Sequence, residues 1–187
     1  AALLSPDTFD QVVREVESSD AEAVVVRVNS PGGDAIASDE LARSLRRLAS
    51  RKPVVVSMGD LAASGGYSLA AATGTQIVAY PETLTGSIGV FYGKLVLAGL
   101  YEKLGLEKQI LSRGQFAAID SESRPLSPAE REKLRKLLEE MYRDFVTQVA
   151  ASRKRSYAEI DKVAQGRVWL GDQAKAAGLV DALGGID

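Results

Sequence analysis

Hydrophobic positions along the chain follow two patterns, helical spacing and short uninterrupted runs. Phe9, Val12, Val13 and Val16 lie on one face at helical spacing, which predicts a helix over residues 5–18 that begins at a Ser-Pro cap. The runs AVVVRV at 23–28 and PVVVSM at 53–58 are β-branched and apolar, as in strands buried in a parallel sheet. The same reasoning predicts helices over residues 35–49, 62–72, 96–104, 127–152, 157–165 and 171–177, strands over 76–80 and 107–111, and a further element over 85–91.

The order of these elements predicts the class of fold. Strands alternate with helices, which is typical of an α/β domain with a largely parallel sheet. The 187 residues are enough to form one domain with a substantial core, so we expect residues 1–187 to be a single domain. Because the chain opens at Ala1-Ala2-Leu3-Leu4 without Met, we expect it to be part of a longer protein.

Composition narrows the chemistry more than the fold. A formal net charge of -2 gives no electrostatic reason to expect nucleic acid as a partner. The chain has no cysteine and no histidine, which excludes disulfides and a cysteine nucleophile and argues against zinc, and we expect neither metal nor cofactor. No apolar run reaches the roughly 18 residues that a membrane-spanning helix needs.

Two glycine-rich turns carry the candidate chemistry. NSPGGD and AASGGY each follow a buried strand and precede a helix, and ligands of such sheets bind at the carboxyl ends of strands. Ser64 would lie at a helix N-terminus as a nucleophile, with the N–H groups of Gly33 and Gly65 as an oxyanion hole. Two other interpretations stay open: tight helix–sheet packing through small residues, and a nucleotide site, although neither turn matches a phosphate-binding motif.

A serine nucleophile needs a base, and without histidine the candidate is a lysine that is neutral near pH 7. Lys133, Lys136, Lys154 and Lys162 lie in charged helical stretches where solvation is expected, and Lys52 precedes a strand at the end away from the site. Lys94, directly after GSIGVFYG, is the one that we would test.

The motifs resemble one known family. VVVRVNSPGGDAIASDEL, KPVVVSMGDLAASGGYSLA, PETLTGSIGVF and QGRVWLGDQAKAAGLVDALGGID are similar to the signal peptide peptidase A family, also called protease IV. The resemblance implies a fold like that of the Clp protease and crotonase superfamily, built from ββα units. It further implies a bacterial serine peptidase anchored in the cytoplasmic membrane and facing outward, with the anchor outside this chain, which degrades signal peptides.

The resemblance also assigns residues. It implies Ser64 as nucleophile and Gly33 and Gly65 as oxyanion donors. An extended peptide would pair with the backbone of a strand, as in other peptide-binding sheets, at Ser87, Ile88, Gly89 and Val90. An apolar pocket that suits the leucine-rich core of a signal peptide is expected at Leu61, Tyr67 and Phe91.

One position departs from the family pattern. Short, single-domain members carry their general-base lysine where this chain has GQFAAI, so that Ala117, or else Ala118, stands in its place. In long, two-domain members the lysine comes from the N-terminal half, and on that interpretation this chain is the C-terminal half. The alternatives are an engineered Lys→Ala change, a natural pseudo-enzyme and a dyad with Lys94.

The predicted function is therefore hydrolysis of hydrophobic peptides by a serine–lysine dyad, in a ring-like homo-oligomer whose other half or neighbouring subunit supplies the lysine. Two alternatives remain: a crotonase-like acyl-CoA enzyme that uses the same oxyanion hole, and an inactive module for peptide binding or assembly. For Arg167 and Trp169 of QGRVW the sequence predicts only an ion pair with a carboxylate and packing onto the domain.

Overall fold

The structure, a computed structural model, describes residues 4–186. The chain forms two compact units, a division that the sequence did not predict. The first unit combines Ala1–Gly89 with Tyr142–Asp187, and the second is Val90–Met141. None of the helices within residues 4–186 combines the length and apolarity that crossing a membrane requires.

Helices and strands alternate along most of the chain. The first unit opens with α1 (Pro6–Ser18), β1 (Val24–Ser30), α2 (Ala35–Ala49), β2 (Val54–Ala63), α3 (Gly65–Ala72), β3 (Ile77–Ala79) and β4 (Leu84–Gly86). Then follow α4 (Ala98–Lys103) in the second unit and α5 (Pro128–Arg153), which begins in the second unit and ends in the first. The chain ends with α6 (Tyr157–Val163), β5 (Val168–Leu170), α7 (Gly171–Ala176) and β6 (Ala182–Leu183).

β2 is the centre of the sheet because it pairs with three strands. β1 runs parallel to β2 from the Val24–Val54 pair to the Ser30–Ala62 pair. β3 pairs with the first half of β2 and β4 with its second half, both in parallel, and β6 adds to β3 in parallel. β5 adds to β4 antiparallel, so the prediction of a largely parallel sheet is confirmed. This topology places the chain after Ala63 beside the ends of β1 and β4.

Apolar side chains from the sheet and its helices form the core of the first unit. Val56 and Met58 of β2 are completely buried, as are Ile77 of β3 and Val146 of α5, and Leu45 of α2 is almost so. Each such side chain stabilises the fold by roughly 1.5–3 kcal/mol. The strands that lead into the glycine turns are therefore anchored in a packed core.

The second unit does not bury its apolar side chains as the first unit does. All of its residues are described, and the one that is buried is an acid, Glu130, at 2% exposure. Large apolar side chains lie open instead, with Phe91 at 94% and Leu111 at 88% exposure.

Three predicted elements differ from the structure. The helix predicted over 62–72 begins at Gly65 because β2 continues through Ala63. Of the element predicted over 85–91, only residues 85 and 86 belong to a strand, Leu84–Gly86. Residues 107–111 form no strand, since the second unit offers them no strand to pair with in the part of the chain described.

Candidate active site

Ser64 lies on the sharp turn that joins β2 to α3. Its backbone has φ 53° and ψ -120°, a left-handed conformation that costs a non-glycine residue about 1–3 kcal/mol. Two hydrogen bonds impose it: the N–H of Ser64 donates to the carbonyl of Gly86 at 2.9 Å, and its carbonyl accepts from Ser68 N–H at 2.9 Å. Within residues 4–186 the hydroxyl makes no hydrogen bond. Strain concentrated at one serine with a free hydroxyl is typical of a functional position.

The two glycine turns predicted from the sequence meet at this serine. A Cβ added to Gly32 would lie 2.6 Å from the amide nitrogen of Gly65 and 2.8 Å from the Cβ of Ser64. Gly32 also has φ +96°, so only glycine fits this position.

The predicted oxyanion donors have no hydrogen-bond partner among residues 4–186. Ser30 Oγ accepts the N–H of Gly32 at 3.1 Å. The N–H of the next residue, exposed Gly33, has no partner in the described chain. Gly65 is the first residue of α3, where a helix leaves its N–H groups unbonded. The pair can therefore receive negative charge, and the positive end of the helix dipole favours it.

Two polar side chains, Asp34 at the end of NSPGGD and Ser38 in α2, hold the turns together. Asp34 caps α2 by accepting the N–H groups of Ile36 at 3.0 Å and Ala37 at 2.9 Å. Ser38 Oγ donates to the carbonyl of Asp34 at 2.8 Å and occupies the space that a Cβ on Gly65 would need. The sequence signal for Ser38 is a small polar residue four positions after Asp34, on the same face of the helix.

The segment predicted to bind peptide continues β4 past the end of the strand. β4 itself lies between β2 and β5 and is not a sheet edge. Beyond it, Ser87 N–H donates to the carbonyl of Arg167 at 2.7 Å, and the carbonyl of Ile88 accepts the N–H of Gly166 at 2.9 Å. The carbonyl of Ser87 and the N–H groups of Ile88 and Gly89 make no hydrogen bond among the described residues. One edge of this segment is thus held and the other is open.

The predicted apolar pocket is wrong at Tyr67. This side chain is completely buried, and its hydroxyl donates to the carbonyl of Leu179 at 2.9 Å, while burial raises its pKa above the usual range. The neighbouring glycines let α3 approach the sheet closely, so the ring packs in the core. Leu61 is half-buried, and Val90 and Phe91 belong to the second unit.

Ala117 lies in a turn of the second unit. Its N–H donates to the carbonyl of Gly114 at 3.3 Å, and its side chain is exposed. The two carbonyls that follow are held by cations: Arg124 donates to Ala118 at 3.2 Å, and Lys94 donates to Ile119 at 2.6 Å.

Arg124 in turn forms a two-pronged ion pair with Glu130, at 2.6 and 2.7 Å. The guanidinium group, together with the N–H of Ser127, lowers the pKa of Glu130 to about 2. The two cations thus hold the backbone that directly follows Ala117.

Comparison with known proteins identifies the family. The model of peptidase family S49 matches residues 46–187, which is most of the chain. The chain belongs to peptidase family S49. Over its whole length the S49 chain is 44% identical to "Serine protease SPPA, chloroplastic" of Arabidopsis thaliana. Over 97% of its length it is 43% identical to "Protease 4" of Salmonella typhi. The predicted resemblance to the protease IV family is confirmed.

The fold prediction is confirmed as well. A ClpP1 mutant from Listeria monocytogenes matches 96% of the S49 chain and 84% of its own chain, with a TM-score of 0.65 and 16% sequence identity. The S49 chain spans 28% and 29% of the lengths of the two relatives named above.

Proposed function

We propose that this S49 chain is the catalytic domain of a serine endopeptidase that hydrolyses signal peptides and other hydrophobic peptides. One observation carries the proposal: a strained serine with a free hydroxyl lies where two glycine turns meet, beside two unpaired N–H groups. Nucleophilic serine peptidases need this combination of a free hydroxyl and two backbone N–H donors.

The reaction follows from this arrangement. Ser64 Oγ attacks the peptide carbonyl while a neutral lysine takes the hydroxyl proton, and the N–H groups of Gly33 and Gly65 bind the developing oxyanion. The lysine then gives its proton to the leaving amine as the C–N bond breaks. Water, deprotonated by the same lysine, hydrolyses the acyl-enzyme and restores Ser64. Loss of one oxyanion donor costs such enzymes about 100–1000-fold in kcat.

The substrate would lie along the open edge of Ser87, Ile88 and Gly89. The unpaired carbonyl of Ser87 and N–H of Ile88 suit an extended peptide that adds itself as a strand. Val90 remains a predicted contact for the peptide backbone. Leu61 and Phe91 remain predicted contacts for the apolar side chains of the substrate.

The general base would come from another half of the protein or from a neighbouring copy. Ala117 supplies no base, and Lys94, the candidate within this chain, donates to the carbonyl of Ile119. A dyad with Lys94 is the competing possibility.

Assembly into a ring-like homo-oligomer completes the proposal. The exposed apolar side chains of the second unit, Phe91 and Leu111 foremost, support it, since isolated soluble domains seldom leave so many open. The Clp-like fold is compatible with such an assembly.

Labelling with a serine-reactive fluorophosphonate tests the proposal on the complete protein. We expect a single adduct at Ser64, absent in Ser64→Ala and retained in the control Ser68→Ala, together with cleavage of a leucine-rich peptide. No adduct at Ser64, or turnover of acyl-CoA thioesters instead of peptides, would contradict a peptidase.

A further inference from the structure

The segment at residues 165–169, QGRVW, packs behind the site and has no role in the chemistry described above. The sequence predicted an ion pair for Arg167 and a packing role for Trp169. Instead, Arg167 donates to the carbonyl of Lys162 and, at 3.0 Å, to Gln165 Oε1. It therefore ties the segment to the end of α6.

This segment and the site form one continuous set of backbone hydrogen bonds. Ser64 N–H donates to Gly86, Ser87 N–H donates to Arg167, and Gly166 N–H donates to Ile88. The reacting serine and the open peptide edge are thus bonded, through 86–88, to the same short segment.

Backbone strain concentrates in this set. Four non-glycine residues have positive φ within the described chain, and Ser64, Ser87 and Gln165 are three of them. Such conformations persist only where the surroundings impose them, and they cluster at functional sites.

The turn at Gln165 is itself anchored. Its N–H donates to Tyr142 Oη at 3.2 Å, and that hydroxyl donates to Asp161 Oδ1 at 2.5 Å. Burial, with the Asp161 carboxylate, raises the pKa of Tyr142 to about 12, so the phenol stays protonated.

Trp169, in β5, contacts the end of β4. It lies opposite Thr85 in the β4–β5 pair, and its Nε1 donates to the carbonyl of Val163 at 2.9 Å. A Cβ on Gly86 would come within 2.7 Å of Trp169 Cδ1, so the indole lies directly against the glycine whose carbonyl holds Ser64. Gly89 and Gly166 also lie close together, because a Cβ on Gly89 would be 2.9 Å from the Cα of Gly166.

We propose that Trp169 is a positioning residue: its indole, on the segment anchored by Gln165 and Arg167, fixes Gly86 and thereby sets the backbone of Ser64 and the peptide-binding edge. The proposal rests on the peptidase function proposed above. It assigns the QGRVW motif to the geometry of catalysis.

Kinetics and amide hydrogen exchange of the complete protein test this role. In Trp169→Ala we expect kcat for peptide hydrolysis to fall about tenfold or more with a smaller change in KM. We also expect the Ser64 amide to lose about tenfold in exchange protection relative to the Val56 amide in β2. Trp169→Phe, which keeps a ring against Gly86, should recover most of both signals.

The matched control is Val13→Ala, which truncates a core side chain of α1 away from the site. It should lower stability without a selective loss of Ser64 protection or of kcat. If Trp169→Ala behaves as Val13→Ala does, the positioning role is overturned. If Trp169→Ala does not fold, Trp169→Leu is measured against the same control.

The two proposals fail separately. An intact protein that cleaves no peptide, but loses Ser64 protection selectively in Trp169→Ala, contradicts the peptidase function and keeps the positioning role. If the protein cleaves peptides but neither kcat nor the exchange of the Ser64 amide changes in Trp169→Ala, the peptidase function stands and the positioning role is contradicted.

Discussion

Gly32 and Gly65, from turns that follow two different strands, approach so closely that a methyl group on the first would overlap the amide of the second. The would-be Cβ of Gly32 lies 2.6 Å from Gly65 N, and Gly32 has φ +96°. The backbone donors of the site therefore depend on a contact that no side chain makes.

Gly32→Ala should damage both stability and activity. The clash is with backbone, which cannot rotate away, and positive φ adds further strain. We expect a loss of about 2 kcal/mol or more in the free energy of unfolding and about a 100-fold loss of peptidase activity. Gly74→Ala is the control for strain alone, because Gly74 has φ +63° and open space around it. Equal losses in urea unfolding for the two variants would contradict the clash.

Ser64→Gly should stabilise the protein relative to Ser64→Ala while both are inactive. Glycine adopts the left-handed backbone without strain, so we expect a difference of about 1 kcal/mol in the free energy of unfolding. At Ser68, inside α3, the order should reverse, with glycine about 1 kcal/mol worse than alanine. Thermal unfolding of the four variants measures both differences, and the same order at both positions would rule out stored strain at Ser64.

Acid should lower the stability of the second unit because Glu130 becomes protonated. Its pKa is lowered from 4.5 to about 2, so its pairing with Arg124 contributes full stability above pH 4.5. That contribution is lost as the pH falls from 4.5 towards 2.

Glu130→Gln should therefore remove part of the pH dependence in that range. Urea unfolding between pH 6 and pH 3, with Glu107→Gln as an exposed control, measures it. A wild type and a Glu130→Gln variant with parallel pH profiles would contradict the assignment.

Ala117→Lys should create peptidase activity in the complete protein if the family position of the base is correctly placed at Ala117. We expect hydrolysis that rises with pH as the new amine loses its proton. Ala117→Arg supplies charge without a usable base and should stay inactive. Activity in both variants, or activity of the unmodified chain that Lys94→Ala abolishes, would instead favour another source of the base.

The sequence predicted the meeting of the two turns better than the side chains that surround them. NSPGGD and AASGGY were expected at the same edge of the sheet because each directly follows a buried strand, and the structure brings them together at Ser64. Tyr67 was misplaced because an aromatic residue beside a nucleophile fits a pocket wall and a core equally well in sequence. Burial decided the matter, and burial depends on the whole sheet.

The short strands escaped prediction for a related reason. Val168–Leu170 and Ala182–Leu183 are too short to show a period, and they exist because β4 and β3 offer edges to pair with. The predicted strand over 107–111 is the converse, a suitable sequence without a partner.

The second unit buries the carboxylate of Glu130 and exposes large apolar side chains, so its stability can depend on protein concentration. If copies associate through those side chains, mass action adds about 1.4 kcal/mol to the assembled state for each tenfold rise in protomer concentration. A dilute protomer and a crowded one would then differ in stability with no change in any contact within the chain. If activity requires assembly, the concentration of the protein would then decide what fraction of it is active.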